Sequence, residues 1–501
     1  MIDATLGIDV GTTAVKAAII GADGAMLGQA DRSYPVHHPR PGLAEQDPEH
    51  WWAAIRHVVH AALTQAGPEV RVRAVGAAGQ GCGLVAVDED LHHLRPAIIW
   101  MDTRSAPQCD WMRSNVGAAV NRANGAAIAP FNVEPKILWM REFEPDLYRR
   151  TRWYVTPTAW ITMRLCGEPV ANHSDAGLLF AYDLRATAWS REVLDGLDVP
   201  VERYPRLAYG DEVVGTITAE AAADLGLPGD VLVVGGAGDT PAAALASGVT
   251  QVGDAYLGMG TASVIGICHD TPVFQPKLLT HPYVLEGQVF TSGSTSSFGA
   301  SLRWAYRLFN GGDETDEGYA ELMEQAAQST AGSQGLVYLP YLSGELHPIL
   351  DPYARGTFIG LSQSTTRSDM LRAVMEGGAF SIRDNLAAAA EVGLQPRLIH
   401  AAGGLSRSPL WTQIIADVTG LPVHLSDDGI SGAAVGAALL AARGARIASA
   451  TGSGGGDVVV RQPDEKVREL YDSLFGIYRS SYEHLKSDFR ALHALTSPRD
   501  A

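Results

Sequence analysis

Apolar and polar positions alternate from the first residues. Leu6, Ile8 and Val10 mark one strand, Val15 to Ile20 is a second apolar run, and Gly11-Thr12-Thr13 lies between them. A period of two broken by a Gly-Thr turn predicts a hairpin. The pattern returns between Asp254 and Cys268, around Gly260-Thr261. Two such hairpins half a chain apart predict a duplicated fold with a nucleotide between the halves. Further apolar runs predict strands at 25–33, 72–79, 84–87, 231–235, 337–341 and 398–402. Another, at 98–104, brings Asp102 and Arg104 to a strand tip.

Helical spacing begins after Asp47-Pro48, where Asp47 can cap the first turn and Trp52, Ile55, Val59 and Leu63 share one face. Trp51 and Trp52 read as core. Residues 105–200 read as mostly helical, an elaboration of the first half. Helices are also expected from 242 and from 298, at 410–418, and at 368–391 with Met370, Val374, Ala379 and Ile382 inward. An Ala-Gly helix at 431–443 is small enough to pack closely on a sheet, and Gly- and Ser-rich 444–457 reads as a mobile loop. A closing amphipathic helix at 468–495 carries Leu470, Leu474, Ile477, Tyr478 and Tyr482 on one side. The fold class is therefore α/β with two domains, 1–247 and 248–501.

Composition narrows the function. With 501 residues, 46% hydrophobic and 19% charged, the chain suits two globular cores. A net charge of −18 with no basic block argues against nucleic-acid or membrane-surface partners. Cys82, Cys109, Cys166 and Cys268 are scattered, which disfavours a zinc site or a disulfide framework and suits a reducing cytoplasm. Neither a leader pattern nor an apolar run of membrane-spanning length is present.

The first turn carries chemistry. Asp9 sits at a strand tip, Gly11 permits a tight turn close to a ligand, Thr12 and Thr13 offer donors, and Lys16 adds a positive charge. That set suits phosphate oxygens with a hydrated Mg²⁺ beside them, although an ordinary hairpin with an Asx-turn has the same residues. Gly79-Gln80-Gly81-Cys82-Gly83 invites close ligand approach. No Lys follows a Gly, so the Gly-rich phosphate loop with its Lys is absent.

At this point the chain resembles the FGGY carbohydrate kinases, and among them the xylulokinases. Gly356-Thr-Phe-Ile-Gly360-Leu361, a gap, then Asp369-Met370 and Ala373-Val374-Met375-Glu376 meet the C-terminal signature throughout. Phe131 and Lys136-Ile-Leu-Trp139-Met140 meet the N-terminal one in part, with Val133 and Phe143 departing from it. Glu45 to Trp52, Arg95 to Trp100 and Tyr338 to Glu345 are also similar.

The resemblance implies two actin-like, ribonuclease-H-type domains with ATP in the cleft between them, and transfer of a phosphoryl group to a sugar hydroxyl. It implies Asp239 as catalytic base and Asp9 with Asp239 as the Mg²⁺ carboxylates. Asp9, Gly11, Thr12, Thr13 and Lys16 match the first phosphate hairpin, and Gly260 and Thr261 the second. Gly299 and Arg303 flank the nucleotide, while Gly403, Gly404 and Ser408 match the adenosine turn. Gln80, Gly81, Cys82, Asp102, Arg104, Asp239 and Thr240 fall on the sugar side, with Asp102 and Arg104 holding either the sugar or each other. Cys82 stands where xylulokinases usually have His and Thr240 where Asn is common, so L-xylulose, ribulose, erythritol and glycerol compete with D-xylulose. An actin-like ATPase or a sugar-sensing regulator is the alternative from another class. Homodimers are common in the family.

Overall fold

The computed structural model describes residues 1–311, 313–426, 432–447 and 458–496. Ser431 and residues 448–457, parts of the expected Ala-Gly helix and mobile loop, lie outside the described residues. The chain forms two compact units, one from 1–252, 268–290 and the described part of 428–457, the other from 253–267, 291–427 and 458 onward.

In the first unit, Ile2–Val10 pairs antiparallel with Ala14–Gly21, placing Asp9 opposite Lys16. The sheet order is Val213–Thr216, Leu232–Val234, Val70–Gly79, Ile2–Val10, Ala14–Gly21, Met26–Ser33, with Val70–Gly79 parallel to Ile2–Val10. Helix Pro48–Ala66 starts as read, with the Asp47 carboxylate accepting from the Glu49 amide. Trp51 and Trp52 are buried in the core. Helix Ala433–Gly444 packs on the sheet at backbone contact, because Gly7 and Gly76 have no side chains to hold it off. A Cβ on Gly7 would overlap the Ala434 carbonyl, and one on Gly76 would overlap that of Ala437.

The second unit repeats the device. Asp254–Met259 and Ser263–His269 pair antiparallel, and Leu398–Ala402 joins in parallel. Helix Arg367–Ala390 opens on a reciprocal cap between Thr366 and Asp369 and buries Val374, Ala379 and Ile382. Its Glu376 carboxylate accepts from Gly332 N at 2.9 Å, Ser333 Oγ at 2.8 Å, Arg372 Nε at 2.8 Å and Tyr471 OH at 2.8 Å. The signature acids Asp369 and Glu376 thus serve this unit's scaffold.

Three expectations need correction. The strand expected at 98–104 stops at Ile98. The chain then turns, with the Asp102 amide donating to Ile99 O at 3.1 Å, which leaves Trp100 and Met101 exposed. The helix expected from 242 begins at Asp239, so that residue occupies a helix start. On the closing helix Arg468–Thr496, Leu470 and Ile477 are exposed, whereas Tyr471, Leu474, Tyr478 and Phe489 are buried.

Candidate active site

Each hairpin tip is built the same way. In the first, Gly11 N donates to Ala14 O, closing the turn. Its carbonyls are tied backward: Gly11 O accepts from Tyr34 OH, Thr12 O from Gln46 Nε2 at 2.6 Å, and Thr13 O from Tyr34 N. In the second, Gly260 N donates to Ala262 O, while Gly260 O and Thr261 O accept from the Gly299 and Ala300 amides that open helix Phe298–Phe309. Among the described residues the amides of Thr12, Thr13 and Thr261 have no protein partner. Carbonyls held away and amides left outward make a concave donor set suited to an anion.

Gly299 and Gly403 fit because they lack side chains. A Cβ on Gly299 would lie 2.5 Å from Gly260 O, and one on Gly403, whose φ is +103°, would lie 2.6 Å from Met259 O. Gly404 faces open space. Ser408 caps helix Pro409–Thr419, accepting from Trp411 N. Arg303 is half-exposed and paired with Glu314 at 3.3 Å. Gly260, Thr261, Gly299, Gly403 and Gly404 therefore come together in the second unit, with Ser408 one turn further on.

In the first unit the Asp239 carboxylate acts electrostatically on two others, those of Asp9 and Asp175. Asp9 is buried with Oδ1 unpartnered, and burial, with Asp239 adding to it, pushes its pKa up to about 7. Asp175 is fully buried, accepts from Thr156 Oγ1, leaves Oδ1 unpartnered, and is likewise pushed to about 7 by burial and Asp239. Asp239 is half-buried; burial raises its pKa, against hydrogen bonds from Thr240 N at 2.6 Å and Thr240 Oγ1 at 3.2 Å. An orphaned buried carboxylate oxygen beside a second carboxylate is a donor set that fits a hydrated divalent cation.

Because folding raises the Asp9 pKa, the folded state binds the proton more tightly than the unfolded one. The stability tied to that proton is complete below pH about 4 and is lost as pH rises through about 7. In the ligand-free protein, Asp9→Asn should therefore raise the melting temperature at pH 8 and flatten its pH dependence between 4 and 7. A melting temperature at pH 8 below wild type would contradict this.

The remaining sequence-derived residues separate into two groups. Gln80 joins the first hairpin: its amide donates to Val10 O at 2.9 Å and its Nε2 to Gln46 Oε1 at 2.8 Å. Gly81 and Cys82 follow on the same turn, with Cys82 at φ +59° and its thiol pushed up to about 12 by burial. Asp102, fully buried, is committed to Ala44 N, Arg104 N and the Arg104 guanidinium, and Arg104 also pairs with Glu45 at 2.7 Å. Asp102 and Arg104 hold each other.

The sequence did not single out Gln46, which anchors the first hairpin, or the turn 172–175. There Gly238 N donates to Ser174 Oγ at 3.0 Å, Ser174 Oγ donates to Asn172 Oδ1 at 2.7 Å, and Asp175 N donates to the same oxygen at 2.8 Å. This buried relay fixes the backbone immediately before Asp239. No local motif announces it, because its partners lie more than 60 residues apart in sequence.

Residues 4–246 match the FGGY family of carbohydrate kinases, N-terminal domain, and 255–445 match its C-terminal domain. A xylulose kinase of Klebsiella pneumoniae is 32% identical over 439 residues, covering 87% of this chain and 89% of that protein. One from Bacillus subtilis is 28% identical over 499 residues, covering 96% and 97%. The crystal structure of a xylulose kinase from Rhodospirillum rubrum superimposes with a TM-score of 0.88 at 31% identity, covering 97% of this chain and all of that one. With both domains matched over most of its length, the chain belongs to the FGGY family of carbohydrate kinases.

Proposed function

We propose that this ATP-dependent sugar phosphotransferase converts D-xylulose to D-xylulose 5-phosphate, with Asp239 as the general base. The observation that carries the mechanism is the half-buried Asp239 carboxylate at a helix start, its neighbouring backbone held by the Ser174 relay. The matches to xylulose kinases over most of their lengths support the sugar.

A sugar hydroxyl becomes nucleophilic as it loses its proton, and a fixed carboxylate within reach accepts that proton. In the first unit the free amides of Thr12 and Thr13, with Lys16, suit phosphate oxygens and would offset the charge moving to the leaving group, and in the second unit the free Thr261 amide suits an anion in the same way. Gly299, Arg303, Gly403, Gly404 and Ser408 hold the nucleoside. Asp9 and Asp239 would hold Mg²⁺, which when bound neutralises phosphate charge. In this reading residues 1–247 form the sugar-binding part and 248–501 the adenosine-binding part. Four free cysteines accord with a cytoplasmic enzyme, and a homodimer is its proposed state. Among the described residues no helix is long and apolar enough to cross a membrane.

A second reading, a kinase of another ketose or a polyol, draws on one feature: the turn Gln80-Gly81-Cys82-Gly83 offers neither an imidazole nor a side chain at Gly81. Comparing kcat/KM across D-xylulose, L-xylulose, D-ribulose, L-ribulose, erythritol and glycerol separates the two. D-xylulose should lead by at least about tenfold; a different leader would transfer the assignment to that sugar.

A further inference from the structure

We propose that Lys136 is the positioning residue of the sugar turn: its buried ammonium holds the Cys82 carbonyl and so keeps residues 80–83 in their sugar-binding shape without touching the sugar. The proposal rests on reading that turn as sugar-facing. Lys136 lies on helix Val133–Phe143 and is fully buried. Its Nζ donates to Cys82 O at 2.6 Å and to Phe131 O at 2.7 Å. Among the described residues no carboxylate lies within ion-pairing distance of it.

Taking an ammonium out of water costs several kcal/mol, and burial draws the Lys136 pKa down to about 8. A methionine would fill the space without that cost, so the charge acts through the carbonyls it holds. Charge-assisted bonds to two backbone oxygens are strong and directional.

The turn it grips is one that needs gripping. Cys82 has φ +59°, a conformation uncommon outside glycine. On either side the backbone is pressed against neighbours: a Cβ on Gly81 would lie 2.8 Å from Leu178 Cδ1, and one on Gly83 would lie 2.7 Å from Pro157 Cγ. Gln80 immediately before is bonded to Val10 O and Gln46. A shift at Cys82 is therefore passed to Gln80 and Gly81. Being wholly enclosed, Lys136 cannot itself meet a substrate.

The test compares full-length wild type with Lys136→Met, Lys136→Gln and Gln80→Ala, measuring KM for sugar and for ATP separately with the best sugar of the panel. Lys136→Met should raise sugar KM about tenfold or more and leave ATP KM within about twofold. Lys136→Gln, which keeps a donor, should fall between and serves if the Met variant does not fold. A normal sugar KM in both Lys136 variants, with a raised one in Gln80→Ala, would overturn the role of Lys136 alone. A normal sugar KM in Gln80→Ala as well would overturn the sugar-facing reading of the turn. Equal rises for sugar and ATP, or a fall in kcat only, would reduce Lys136 to general support and overturn the proposal.

Discussion

Asp239→Asn should lower kcat by about 10²- to 10⁴-fold, the range expected for loss of a positioned general base, with little change in the thermal unfolding midpoint. Among the described residues the carboxylate accepts only from its own neighbour Thr240, through the amide at 2.6 Å and the hydroxyl at 3.2 Å, so an amide of the same shape removes no distant contact there. Burial raises the Asp239 pKa and makes it a better proton acceptor, while the Thr240 bonds keep the ionised form available. The drop in kcat should far exceed any loss of ATP affinity, since Asp9 and the hairpin amides remain in the variant. A variant that retains more than about a tenth of kcat would remove Asp239 from the proton transfer.

The largest expected effect on stability is that of Gly7→Val. The added Cβ would overlap the Ala434 carbonyl and come within 2.5 Å of the Ala438 amide, both on the backbone of helix Ala433–Gly444. Backbone cannot swing aside as a flexible side chain can, so the helix must lift from strand Ile2–Val10. We expect a loss of about 3 kcal/mol or more, above the usual range for overpacking, measured as a drop in the urea midpoint. At Gly67, where no atom lies within 4 Å of an added Cβ, the space is open but φ is +86°, so Gly67→Ala should cost only about 1 kcal/mol. A Gly7→Val midpoint equal to wild type would contradict the close helix-on-sheet packing.

Much of the fold could be read from residue order. Both hairpins appear as period-two runs around Gly-Thr, and the Ala-Gly composition of the helix near the C-terminus announced the close packing that Gly7 and Gly76 accept. The closing helix was legible in extent and only partly in facing: Leu474 and Tyr478 are buried as read. Tyrosines line its inner side because their hydroxyls find partners there: Tyr478 bonds Tyr341 at 2.6 Å, Tyr471 bonds Glu376, and Tyr482 bonds Asp351 at 2.9 Å. A hydropathy pattern favours Leu470 and Ile477 instead, and both are exposed.

The site was legible where function depends on a local turn and hidden where it depends on distant support. Gly260, Thr261, Gly299, Gly403 and Gly404 come together because each is a backbone position with its own turn signal. Asp175, Ser174, Gln46 and Lys136 act on segments far away in the chain, and each alone reads as an ordinary polar residue. Lys136 sits within a signature, yet nothing in its spacing says that its ammonium is buried. Asp369 and Glu376 show the reverse: the acids of the best-matched motif are engaged in holding their own unit together.

The central claim is phosphoryl transfer from ATP to a terminal sugar hydroxyl with Asp239 taking the proton. Its most direct test follows the γ-phosphate of labelled ATP with D-xylulose in wild type and Asp239→Asn. Label should appear on a sugar phosphate in stoichiometry with ADP in the wild type, and both products should form about 10²-fold or more slowly in the variant. Label appearing as free inorganic phosphate at a rate indifferent to sugar and to Asp239→Asn would contradict it and leave an ATPase in its place.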